Sequence, residues 1–337
     1  MRVAILAHEK FPDRAKTAVG ILRYSDHEVR AVLDRERAGT TVRDHIEDSR
    51  VPDAPVVASI DEIPDIDALV VGIAPIGGGF EESWRPDVRG ALERGCDVVA
   101  GLHYLLSEDE DFVTLAAEHG CELRDVRQPP EDLTVSEGRA REVDAKVVLT
   151  VGTDCSTGKM TAAMELREAA REQGIDAAVV PTGQTGIMIE GWGIAVDRTI
   201  SDFTAGAVER MVRREGDRDL LFVEGQGALG HPAYSAVTAG IVHGAMPDAM
   251  VLCHEAGREV VHGYESFALP SPAEYVDHYE RFAAPVAPAT IAAGMLNTSH
   301  LDDESARAAI EDYTAAIDAP ATDPIRHDAA DVLEALR

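Results

Sequence analysis

The sequence predicts an α/β protein of two parallel-sheet domains, and three observations carry that prediction. Short apolar runs alternate with more polar helical segments over the first 125 residues and again after residue 146, the pattern of strands joined by crossover helices. A polar stretch, Gln128–Ala145 (QPPEDLTVSEGRAREVDA), separates the two series. Beyond it, a glycine-rich turn sits between an apolar run and a helical segment. A chain of 337 residues, 45% hydrophobic, is long for one core and has apolar material for two.

The elements follow in order. Val3–Ala7, Glu28–Leu33, Val56–Ile60, Ala68–Ala74 and Asp97–Ala100 read as buried strands of the first sheet, with a helix over Ser83–Arg94. The first domain then spans 1–130, the linker 131–145 and the second domain 146–337. In the second domain KVVLTV is a strand and Met160–Gln173 a helix stopped by Gly174. Ala177–Val180 is the next strand. Phe203, Ala207, Val208, Met211 and Val212 recur at helical spacing, so Asp202–Glu215 is an amphipathic helix. Leu220–Val223, Ala249–Cys253 and Ala289–Leu296 are further strands, and the last 35 residues are helical around a turn at Asp323–Arg326.

Charge narrows the function. Sixty-one acidic residues face 31 basic ones, a formal net charge of −30, and only four of the basic residues are lysines. A scattered acidic coat with little lysine suits a halophilic cytoplasm, where salt screens self-repulsion. It excludes a nucleic-acid partner, since no basic stripe exists to neutralise phosphates. Cys96, Cys121, Cys155 and Cys253 lie far apart, which gives neither a disulfide framework nor a zinc knuckle. No run approaches the roughly 18 apolar residues of a membrane span. The expectation is a soluble cytoplasmic protein, a homo-oligomer with a small-molecule substrate and no membrane partner.

The strongest chemical signal is the run Gly152-Thr153-Asp154-Cys155-Ser156-Thr157-Gly158-Lys159-Met160-Thr161 between strand and helix. Such a turn points successive backbone N–H groups inward, the helix start adds positive dipole, and the lysine supplies a charge for phosphate oxygens. This is a P-loop. Five residues rather than four separate its two glycines, a spacing that resembles the dethiobiotin synthetase branch of P-loop proteins. Met160 stands where a nucleotide hydrolase places the Ser or Thr that holds magnesium. Thr161 lies one position on, turned by about 100° on a helix. Phosphate binding without a required metal is therefore expected.

Glu224 ends the apolar strand LLFV, where P-loop folds put a metal-binding or basic carboxylate; the alternative is that it clamps loop amides. Pro181–Gly186, with Gln184 and Thr185, reads as a polar loop at another strand end, the edge where open parallel sheets bind ligands. Of His231, His243, His254 and His262, none pairs at metal-ligand spacing. His231, beside Tyr234 and seven residues past Glu224, is the best catalytic candidate among them. In the first domain Gly77-Gly78-Gly79 suggests close backbone approach to a ligand, with His103 and Arg127 at later strand ends.

These segments also carry a resemblance. GTDCSTGKMT, TGQTGIMI, DFTAGAVE, VEGQGALGHPAYSAVTAGIVHG, DAMVLCHEAGR and MLNTS, with the N-terminal GIAPIGGGF, GLHYLLSED and LRDVRQPP, resemble almost end to end a family once known only as a domain of unknown function. Its first domain is Rossmann-like. The resemblance implies a Rossmann-like domain followed by a P-loop NTPase-like domain of the dethiobiotin-synthetase type. Members with an assigned activity are D-glutamate N-acetyltransferases that use acetyl-CoA and act with a partner dehydrogenase; haloarchaea are among their hosts.

Acetyl-CoA carries phosphates that a P-loop can hold without hydrolysis, so the Met160 departure fits. Aminolysis of a thioester needs a base, oxyanion donors and a cation for the substrate carboxylates. The implied base is Glu224 or His231, with Gln226 and the Gln184–Gly186 amides polarising. Arg127 or Arg258 receives a carboxylate. Thr185, Gly78 and Tyr234 line the amino-acid substrate, and by similarity to related P-loop proteins Asn297 reads the adenine. The alternatives are an ATP- and Mg-dependent ligase or carboxylase resembling dethiobiotin synthetase, arranged on Lys159, Asp154 and Glu224, and a nucleotide-sensing regulatory protein.

Overall fold

The computed structural model describes every residue except Ala74, Ile76 and Gly77. The chain divides into two compact units: Met1–Pro129 with Gln184–Ala195, and Pro130–Gly183 with Val196–Arg337.

The first unit begins with β1 (Arg2–Leu6), α1 (Lys16–Tyr24), β2 (Glu28–Leu33), β3 (Val56–Val57) and β4 (Ala68–Val71). It continues through α2 (Arg85–Glu93), β5 (Asp97–Ala100), α3 (Glu110–His119) and β6 (Leu123–Asp125). The sheet order is β3-β2-β1-β4-β5-β6, and every pairing is parallel. This is the Rossmann order. Its strands are short apolar runs because both faces are covered, and Val3, Ala4, Ile5 and Leu6 are fully buried. Asp109 caps α3 by accepting from Asp111 N and Phe112 N, and Gly120 ends it at φ +71°. The predicted strand over Val56–Ile60 is shorter than read. Its end becomes a tight turn because Ser59 and Glu62 cap one another there. Ala74, at the end of the strand expected over Ala68–Ala74, lies outside the described residues.

In the second unit β7 (Lys146–Gly152) leads into α4 (Lys159–Glu172) and β8 (Ala177–Val180). The chain then departs to the first unit, where α5 (Gln184–Glu190) packs on α1 and Thr185 Oγ1 bonds Thr17 Oγ1 at 2.8 Å. The stretch read from sequence as a polar loop is thus a helix from Gln184 onward, held by buried Ile187, Met188 and Ile189. Back in the second unit come α6 (Thr204–Arg214), β9 (Leu220–Val223), α7 (Ser235–Ala245) and β10 (Ala249–Glu255). A hairpin of β11 (Val260–Val261) and β12 (Tyr264–Ala268) precedes α8 (Pro272–Ala283), β13 (Thr290–Asn297), α9 (Asp303–Ile317), β14 (Ala321–Thr322) and α10 (Ala330–Ala335). The main sheet runs β14-β13-β10-β7-β9-β8, again all parallel.

The segment expected to be a linker is docked within this unit. Glu209 on α6 accepts from Ser136 Oγ, Glu137 N and Arg139 N, and Ala140 is fully buried. Burial alone would raise the Glu209 pKa, but the amides of Glu137 and Arg139 hold it below the usual carboxylate value. Gly206 permits the docking, since a Cβ there would stand 2.0 Å from Thr134 O.

Candidate functional site

The site of the second unit grows from the central strand β7. Its residues Val147–Gly152 are buried, and its end feeds the P-loop at the C-terminal edge of the sheet. The loop turns on two left-handed residues, Ser156 at φ +57° and Gly158 at φ +95°. Gly158 suits that conformation, whereas Ser156 is held there against its preference. Lys159 folds back over the loop, donating from Nζ to Asp154 O at 2.7 Å and to Thr157 Oγ1 at 3.3 Å. A Cβ at Gly152 would meet Nζ and Thr157 Oγ1, each at 2.7 Å. A side chain at Gly152 would push the lysine out of this position. Met160 is 4% exposed and belongs to the core, while Thr161 is half-buried.

Asp154 organises the loop's surroundings. Fully buried, it accepts from Cys155 N at Oδ1, and from His262 N (2.7 Å) and Arg258 Nη1 (3.1 Å) at Oδ2. Arg258 also donates to Cys155 O and pairs with Glu255. The guanidinium expected to receive a substrate carboxylate is therefore committed to an internal one. It ties the turn after β10 to the P-loop.

His231 faces the same corner. Its Nδ1 accepts from Ala233 N at 3.0 Å and Tyr234 N at 3.3 Å. Both donors are backbone amides, so Nδ1 carries the lone pair and the neutral ring carries its proton on Nε2. Burial holds its pKa below the ordinary histidine value, with Asp154 opposing. Its Nε2 is buried 3.9 Å from Asp154 Oδ1 with no hydrogen bond of ordinary length, and interacts more weakly with the His262 backbone. A ring that offers N–H and no free lone pair is a donor, which removes His231 as general base in this geometry. A ring nitrogen of His231, Cys155 Sγ and a carboxylate oxygen of Asp154 lie within 4.8 Å of one another. A metal there would need the lone pair that the Nε2 proton occupies. One buried polar atom nearby lacks a partner, the hydroxyl of Tyr275, which crowds Gly230.

On the other side of β7, Glu224 ends β9 and is 6% exposed. Its Oε2 accepts from Thr182 N at 3.2 Å and Gly183 N at 3.0 Å, so it does clamp loop amides. Gln226 Nε2 donates to Thr182 O at 2.6 Å and Thr182 Oγ1 at 3.2 Å. The Gln226 amide, expected to polarise a substrate, serves this loop. Gly225 allows β9 to lie against the P-loop strand, because a Cβ there would stand 1.8 Å from Thr150 O.

The remaining expected residues are dispersed. Asn297 closes β13, two strands from β7, and its Oδ1 accepts from Ser299 N. Tyr234, 49% exposed, lies with its ring 4.7 Å from that of His231. Gln184, Thr185, Arg127 and Gly78 belong to the first unit. Arg127 is buried and donates to Gly101 O at 2.7 Å. Gly78 has φ +65°, and a Cβ would meet the His103 ring at 2.3 Å, so the close approach is made by a side chain of the same unit. Gly77 lies outside the described residues. Tyr275, Thr182 and the backbone of His262 were not anticipated. They sit 21 or more residues from the motif in sequence, and only the fold brings them near.

No helix among the described residues is long and apolar enough to cross a membrane. Residues 134–333 match the P-loop domain of DUF1611, described as a domain of unknown function, and residues 35–129 match its Rossmann-like N-terminal domain. A D-glutamate N-acetyltransferase of Tritonibacter scottomollicae is 38% identical over 80% of this chain and 80% of its own length. One from a Pseudoalteromonas species is 36% identical over 77% of each. The crystal structure of a DUF1611 family protein from Anabaena variabilis superposes with a TM-score of 0.92 at 38% identity, covering 99% of this chain and 98% of that one. The chain belongs to the DUF1611 family and is an enzyme of the acyltransferase class.

Proposed function

We infer that the protein transfers the acetyl group of acetyl-CoA to the amino group of D-glutamate, with the P-loop holding CoA phosphates. The observation that carries this reading is the loop itself. Its lysine and helix start offer anion contacts, while the position that would hold magnesium is the buried Met160. The names of the two curated relatives supply the acceptor and the group transferred.

An α-amino group has a pKa of about 7.7–8, so at neutral pH it must lose a proton before it can attack. Glu224 is our choice of base. Its carboxylate is oriented by the Thr182 and Gly183 amides at Oε2. His231 enters as a donor rather than a base. The ligase alternative would need Mg-ATP at a loop that lacks the magnesium hydroxyl.

The test is turnover in molar salt with EDTA. Acetyl-CoA with D-glutamate is expected to release thiol, and L-glutamate to release much less. Phosphate release from Mg-ATP without thiol release would replace this reading by the ligase.

A further inference from the structure

Helix α8 turns two tyrosines toward the P-loop, and one of their hydroxyls is unused. We propose that the Tyr275 hydroxyl is a further contact of the P-loop site, donating a hydrogen bond to a phosphate oxygen of the bound ligand. The proposal rests on the reading of the loop as a holder of CoA phosphates and deepens it.

Tyr275 and Tyr279 are fully buried one turn apart on α8, their rings stacked with centroids 6.2 Å apart. Tyr279 is satisfied: its hydroxyl donates to Gly152 O at 2.7 Å and accepts from Leu229 N at 3.3 Å. Those bonds hold α8 against the first residue of the P-loop. The Tyr275 hydroxyl, a turn nearer the start of the helix, has no hydrogen-bond partner within the protein. A phenol in that state carries a desolvation cost that a phenylalanine would not.

The loop after β9 makes room for it. A Cβ at Gly230 would stand 2.6 Å from the hydroxyl oxygen and 3.3 Å from the ring carbon that bears it. Gly230 is not left-handed, so the glycine there serves space rather than conformation. The next residue, His231, has its Nε2 3.9 Å from Asp154 Oδ1, which puts Gly230 beside the P-loop. Burial pushes the Tyr275 pKa up to about 12, with Asp154 and Cys155 adding to the rise. The hydroxyl therefore stays protonated and is a donor in want of an acceptor. Asp154, though close enough to be felt, makes its hydrogen bonds to Cys155 N, His262 N and Arg258. What this site is built to receive is an anion, drawn by Lys159 and the start of α4. Its oxygens are the acceptors that Tyr275 lacks.

Tyr275→Phe removes one oxygen and keeps the ring, so the test compares this variant with wild type in molar salt with EDTA. Without ligand it should melt at the wild-type temperature or above, because an unpaired hydroxyl has gone. Tyr279→Phe, which breaks two existing bonds, should melt lower. Calorimetry should show acetyl-CoA affinity falling about 10–100-fold in Tyr275→Phe, the range for a hydrogen bond to a charged group. The kcat at saturating acetyl-CoA and D-glutamate should hold, and so should the KM for S-acetylpantetheine, which has no phosphate. A lower melting temperature of free Tyr275→Phe would mean that the hydroxyl is already paired, and would overturn the proposal. Unchanged acetyl-CoA affinity overturns it as well, as does an equal loss with S-acetylpantetheine, which would put the hydroxyl at the acyl end. If wild type itself fails to bind acetyl-CoA, the proposal falls together with the reading it rests on.

Discussion

Each unit opens with a strand, a turn and a helix, and the two turns make opposite use of that geometry. Between β1 and α1 the turn is filled from within. Phe11 is 1% exposed, its N–H bonds Asp34 Oδ2 at 3.2 Å, and Arg37 donates to its carbonyl oxygen. Its ring is buried in the unit's core, edge-on to His45 with centroids 5.9 Å apart. Between β7 and α4 the turn instead closes around an ammonium, through glycine at its two ends and a left-handed Ser156. The same strand–turn–helix order therefore supports two differently built turns, and the residues of each decide its form.

The contrast is open to attack, the largest effect first. Strand-end carboxylates clamp amides in both units, but only Glu224 is assigned chemistry. Glu224→Gln is expected to lower kcat by about 10²–10⁴ with acetyl-CoA affinity nearly intact. Asp34→Asn should leave the kcat of the folded protein unchanged. Steady-state kinetics and calorimetry on both variants decide, and equal losses of kcat would erase the distinction.

Next, Phe11→Ala should cost about 3–5 kcal/mol of stability by opening a cavity in the first turn. Denaturant titration measures this. Acetyl-CoA affinity of the folded fraction should not change, and a large loss would mean that the first turn binds ligand after all.

Lys159→Ala should weaken acetyl-CoA binding by about 1.5–3 kcal/mol. Lys16→Ala, at the exposed start of α1, should not affect it. Calorimetry in high salt with EDTA reads both.

The smallest effect is on acid stability. Glu209 has a folded pKa below its ordinary 4.5, so its contribution is present above that value and is lost as pH falls through the folded one. Glu209→Gln should lower stability near neutrality by about 1–3 kcal/mol and flatten the acid limb of a stability–pH curve. An unchanged limb would mean that the docked 130–145 segment does not depend on that charge.

Much of the fold was legible because buried parallel strands are short apolar runs. Glu28–Leu33, Asp97–Ala100, Ala177–Val180 and Leu220–Val223 have the expected ends. What could not be read was set by distant partners. The helix at Gln184 depends on burying Ile187–Ile189 and pairing Thr185 with Thr17, 168 residues away. The acidic stretch before β7 looked solvated until Glu209 supplied its acceptors. Every residue of β12 is exposed, so it has no alternation to detect. Within the site, the P-loop announced itself by local spacing. The Asp154–Arg258 pair spans 104 residues, and the orientation of His231 follows from backbone amides, which no residue type encodes.

The excursion of the chain at Gly183 also has a consequence in time. The first unit's own sheet is complete by Asp125, yet the helix that packs on α1 is not made until residue 190. On a ribosome moving at about 5–20 residues per second, that interval lasts roughly 3–13 s. Throughout it the first unit must wait with one face of α1 uncovered, while β7, α4 and β8 of the other unit emerge first. The order of synthesis thus interleaves the two units. A truncation after Pro129 would leave the first permanently unfinished, so this protein is not one that can be dissected by cutting between its sheets.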